Sequence, residues 1–60
     1  MTNEQLCKAS IYAQDVADHM NVAFWTVNEQ PPVFDMKYRD AHDAFKRLAE
    51  VMGYNVELKE

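Results

Sequence analysis

The sequence predicts an all-α protein: a two-helix antiparallel hairpin with a short extended C-terminal tail, expected to dimerise into a four-helix bundle. Three observations carry this reading. Apolar residues recur at alternating spacings of three and four in both halves of the chain, the mark of an amphipathic helix packed along a seam. The breaker residues are few: the only prolines are Pro31 and Pro32, and the only glycine is Gly53. A chain of 60 residues buries only about 60% of the surface its unfolded form exposes, so it needs a staple or a partner. The expected plan is one domain, 1–60, with helix 3–29, loop 30–35, helix 36–52 and tail 53–60.

The first helix opens at Thr2, with Gln5 three positions on. That spacing predicts a capping box, in which the Thr hydroxyl accepts from the Gln5 amide and the Gln side chain accepts from the Thr2 amide. Glu4 suits the positive end of the helix dipole. Leu6, Ala9, Ala13, Val16, Met20, Ala23 and Val27 then form the predicted seam, small enough at its alanines for a second helix to approach closely. At 1.5 Å per residue this helix reaches about 40 Å.

The second helix is expected to start at Asp35, a good N-cap, and to stop at Gly53. Its predicted seam is Phe34, Tyr38, Ala41, Phe45, Leu48 and Met52. At roughly 26 Å it is about 15 Å shorter than the first. Either the first helix overhangs or it bends near Asn21; a continuous helix covered by a second copy is the expectation, since no Gly or Pro marks a break. In the tail, Tyr54, Val56 and Leu58 alternate with polar residues, the period of an extended segment. It is expected to fold back over the hairpin or to pair with another molecule.

Composition excludes several classes of function. Ten acidic against six basic residues leave a net charge of −4, which disfavours contact with a phosphate backbone. Four of the basic residues fall on the second helix, but Asp40, Asp43 and Glu50 are interleaved with them. Two nucleic-acid-related alternatives stay open: an RNA- or DNA-binding helical dimer, and an acidic mimic of DNA using Glu4, Asp15, Asp18 and Glu29. The sequence start, MTNEQLCKAS, lacks the basic and apolar runs of a secretory signal. The longest apolar run, Val22 to Trp25, is far too short to span a bilayer. A soluble, cytoplasmic protein is expected, and the lone Cys7 fits a reducing compartment.

No residue pattern points to catalysis. One glycine allows no phosphate-binding loop, Ser10 lies in a helix interior, and Cys7 sits beside the seam as a small hydrophobe or a surface thiol. Asp15, Asp18 and His19 cluster on one helix, and Asp40, His42 and Asp43 on the other. Metal-binding bundles project such groups inward, whereas these flank the predicted seam, so no metal and no cofactor is expected.

The stretch FWTVNEQPPVF, residues 24–34, concentrates aromatics beside the prolines. Phe24 and Val27 are expected to join the core, and Phe34 to close the end of the hairpin. Trp25 falls off the seam and joins Ile11 and Val22 on a second apolar stripe, bordered by Tyr12. Trp and Tyr are enriched at binding hot spots. The candidate partner-binding residues are therefore Ile11, Tyr12, Val22, Trp25, Phe34 and Tyr54, serving a homodimer or another protein. The function expected is a non-catalytic, acidic protein-interaction module: an adaptor, inhibitor or regulatory subunit. Small proteins of this kind occur as accessory factors in bacteria and their phages.

Overall fold

A computed structural model describes residues 1–57 and 59. The protein is all-helical: α1 (Asn3–Thr26) and α2 (Pro31–Val51) pack against each other, with no strand among the described residues. The hairpin is one helix layer thick, with extents of 42 × 25 × 11 Å.

The N-terminus of α1 forms as the sequence dictates. Thr2 is the N-cap, its hydroxyl accepts from the Gln5 amide at 3.1 Å, and Gln5 Oε1 accepts from the Thr2 amide at 2.8 Å. Two of the four orphan amides of the first turn are thereby satisfied. The helix runs unbroken through Asn21 and ends at Thr26, three residues before the expected limit. There the Thr26 hydroxyl donates back to the Val22 carbonyl at 2.8 Å, the local side-chain bonding that weakens β-branched Thr as an interior helix residue.

The start of α2 differs from the expectation. It begins at Pro31 rather than Met36, with Gln30 as N-cap and Asp35 as an exposed residue inside the helix. Proline explains the shift. Its φ is already helical and its missing N–H falls where no intrahelical partner exists, so the first turn accepts it without loss. Gln30, at φ −136° and ψ 68°, lies outside the α region disfavoured before proline, and its carbonyl accepts from Val33 and Phe34. The prolines thus open α2 instead of filling a loop. The helices are 24 and 21 residues long, about 36 and 31 Å, so the expected overhang nearly vanishes.

Gly53 ends α2 as anticipated. It adopts φ +92°, and the amides of Gly53 and Tyr54 donate to the Glu50 and Ala49 carbonyls at 3.1 and 2.8 Å. This 5→2 and 6→1 pair is the Schellman arrangement. A Cβ at Gly53 would meet nothing within 4 Å, so the only obstacle to substitution is backbone strain. Gly53→Ala is expected to destabilise the protein by about 1 kcal/mol, measurable as a lower denaturant midpoint with an unchanged slope. Beyond the glycine the tail turns back along α2, where Val56 lies half-buried near His42, Phe45 and Lys46. Leu58, the last member of the expected alternation, lies outside the described residues.

Candidate interaction face

The most deeply buried side chains are small. Among the described residues the buried ones are Ala23, Ala41, Ala44 and Ala49, and none with a large side chain is fully buried. Around the alanines, Ala9, Tyr12, Val16, His19 and Thr26 of α1 are half-buried, as are Phe34, Lys37, Leu48 and Val51 of α2. The observed seam therefore shares Ala9, Val16 and Ala23, and Phe34, Ala41 and Leu48, with the predicted one. Its other positions are displaced by one residue on both helices. Leu6, Met20 and Val27 on α1, and Tyr38, Phe45 and Met52 on α2, are exposed instead of buried.

The physical reason lies in residue size. Ala41 and Ala44 are three apart and share a helix face. Turned inward toward α1, where Ala41 meets Val16, they let the two backbones approach, whereas Phe45 in the place of Ala44 would hold them apart. The roll of α2 puts Ala44 rather than Phe45 against α1, and the matching roll of α1 brings Tyr12 and His19 inward in place of Ala13 and Met20.

The displaced residues form one surface. On α1, positions 6, 10, 13, 17, 20, 24 and 27 follow a single helical stripe: Leu6, Ser10, Ala13, Ala17, Met20, Phe24 and Val27, all exposed and none charged. On α2 the matching stripe is exposed Tyr38, Phe45 and Met52 with half-buried His42 and buried Ala49 between them. Met20, Tyr38, His42 and Phe45 line one cleft of about 200 Å³ whose floor is Val16 and Ala41, so the two stripes lie side by side on one face. Aromatic contacts order it: Phe34 stacks on Tyr38 at 5.4 Å and His42 meets Tyr38 edge-on at 4.6 Å. The tail borders this face on the α2 side through Val56.

The sequence-derived candidates scatter around this surface. Ile11, Val22 and Trp25 are exposed as a second stripe, but it is interrupted by Lys8, Asp15 and Asp18. Lys8 pairs there with Glu4 at 3.7 Å, a solvent-exposed i,i+4 contact of little energetic weight. Tyr12 is drawn into the seam and away from that stripe. Trp25, 70% exposed, packs edge-to-face on Phe24 at 5.2 Å. Phe24 is equally exposed, contrary to its expected place in the core, as is Val27 to a lesser degree. Phe34 is half-buried at the closed end, and Tyr54 is exposed beyond the helix cap. What sequence reasoning treated as core, chiefly Met20, Tyr38, Phe45 and Met52, is the larger apolar surface. The signal was the uncharged run of Leu6, Ser10, Ala13, Ala17, Met20, Phe24 and Val27, which made the apolar arc too wide for one helix to cover.

His19 lies in the seam, not at its edge, with Nε2 3.9 Å from Asp40 Oδ2, an ion pair only when the imidazole is protonated. Its Nδ1 is buried without a hydrogen-bond partner. Among the described residues no three of His, Cys, Asp and Glu come together as a metal site. The Cys7 thiol is exposed.

The surface itself is larger than the mass requires. The chain exposes 5,008 Å², against about 4,000 Å² expected for a folded monomer of 7.0 kDa. Its radius of gyration, 12.8 Å, exceeds the roughly 10 Å of a compact chain of this length. Among the described residues no helix is long and apolar enough to cross a membrane. Comparison with known proteins adds no assignment: no family model, no curated protein and no solved structure matches this chain.

Proposed function

We propose that this chain is a non-catalytic protein-interaction module, an adaptor, inhibitor or regulatory subunit, whose working form is a homodimer built as a four-helix bundle. One observation carries the reading: the fully buried residues are alanines, while Leu6, Met20, Phe24, Tyr38, Phe45 and Met52 stand exposed. A surface of that kind, on a chain with about 1,000 Å² more exposure than its mass calls for, supports function by association. The nucleic-acid alternative has no comparable feature. The exposed cations Lys46 and Arg47 of α2 stand between Asp43 and Glu50, so no face is uniformly basic.

The two surfaces suit two tasks. The uncharged face is broad enough for a second hairpin, while Trp25 with its charged surroundings suits a separate protein. Tagged protein used as bait in a lysate of its source cells is expected to retain a partner. Trp25→Ala should cut that capture by about tenfold, the loss of a ~1.4 kcal/mol contact, and leave the mass in sedimentation unchanged. A single-chain mass at tens of micromolar, together with no retained protein, overturns the reading.

A further inference from the structure

The structure points to one particular face as the closure between copies, and we infer that it is the uncharged side bearing Leu6, Met20, Phe24, Tyr38, Phe45 and Met52. This inference rests on the homodimer reading above and adds where the second copy sits.

Four features select that face and that occupant. The first is area. The outline of the hairpin is 42 by 25 Å, so one face presents about 1,000 Å², against the ~800 Å² per partner of a standard interface. The excess of accessible surface over that of a compact monomer has the same size, which is what one covered face removes. The second is layering. Stable domains have at least two layers of secondary structure around a core, and this chain supplies a single layer 11 Å thick. A second copy brought face to face supplies the other.

The third feature is charge. Each copy carries −4, so two copies repel unless their acids stay in water. No Asp or Glu lies on the α1 stripe between Leu6 and Val27, and none lies among Tyr38, His42, Phe45, Ala49 and Met52. The opposite flank holds Glu4, Asp15 and Asp18 beside Ile11 and Val22. A face-to-face pair on that side buries no helix carboxylate, which would be costly to desolvate; Glu57 of the tail stands at its α2 edge beside His42 and Phe45, with Lys46 and Lys59 next to it. The fourth is self-complementarity. A two-fold dimer presents the same patch twice, and this patch contains both large knobs, Tyr38 and Phe45, and the low ground of Ala13 and Ala17 to receive them.

Two methionines make the test possible in the unaltered protein. Met20 lies on the proposed face and Met36 on the other side of α2; in the single hairpin they are 44% and 55% exposed. Under reducing conditions that keep Cys7 a thiol, sedimentation should give the mass of two chains at tens of micromolar. Limited peroxide oxidation of that dimer, read residue by residue by mass spectrometry, should then modify Met20 roughly fivefold more slowly than Met36, because sulfoxide formation follows access. Met20→Glu should lower the mass to one chain, and Ile11→Glu should not. A two-chain mass with equal oxidation of Met20 and Met36 overturns the face and leaves the homodimer standing. A one-chain mass across the range overturns both. If Met20→Glu loses its helical signal, the oxidation ratio in the native chain decides alone.

Discussion

Ala41→Leu is expected to destabilise the hairpin by about 2–3 kcal/mol, the upper part of the range for overpacking a filled site. Ala41 is 3% exposed and shares its cleft floor with Val16 of the facing helix. The close approach of α1 and α2 depends on the absence of a side chain beyond Cβ at this point and at Ala44. The three carbon atoms added at Ala41 enter the seam at the floor of the cleft, and what the cleft does not take presses the backbones apart. The helices must then separate or roll, and either movement strips dispersion contacts from Ala23 and its neighbours, each small but many in number. For a 60-residue chain this is a large part of any plausible stability. Urea denaturation followed by circular dichroism gives the value directly. A neutral or stabilising Ala41→Leu would mean that the seam is not closed by alanines, and the packing described above would be wrong.

Heating is expected to show a midpoint that rises by about 5 °C for each tenfold increase in protein concentration. The size follows from linkage. If folding is completed by association, each tenfold in concentration is worth about 1.4 kcal/mol per dimer. Spread over the unfolding entropy of two 60-residue chains, at about 2 cal/mol/K per residue, this gives about 5 °C. The physical source is the outward-facing set of Leu6, Met20, Tyr38, Phe45 and Met52. Each of these gains up to about 1.5–3 kcal/mol when moved from water into an apolar contact, a gain the isolated hairpin forgoes. Calorimetry or circular dichroism over a hundredfold range of concentration settles it. A midpoint that does not move would show a self-sufficient monomer, and the large side chains would then need another explanation.

Much of the hairpin was legible in the residues. The Thr2 and Gln5 spacing specified the capping box because both partners lie within one turn and need nothing from the rest of the chain. Gly53 specified the C-terminal stop for the same reason: only glycine takes φ +92° without strain. Trp25 was recognised as a side chain the hairpin does not cover, since it lies far around the helix from any seam residue. The prolines were legible as punctuation but ambiguous in sense. A proline ends one helix or opens the next, and which of these occurs depends on whether the amide it lacks would have had a partner.

Which face of each helix turns inward was settled only by tertiary packing. Two apolar stripes one residue apart, Leu6–Ala13–Met20 and Tyr12–His19–Thr26, share Ala9, Val16 and Ala23 as neighbours, and periodicity alone favours the more hydrophobic one. Hydrophobicity decides that a stripe leaves water; it does not decide where it goes. Two backbones meeting at a few ångströms of side-chain depth favour small residues, so Ala44 rather than Phe45 joined the anticipated Ala23 and Ala41 in the buried set. The larger residues were left for a contact that a single chain cannot make. Helix formation, its ends and its amphipathic character were thus determined by local sequence, through caps and period. The division of the apolar residues between an inner seam and an outer face was determined by steric fit between the two helices, which no one-dimensional pattern contains.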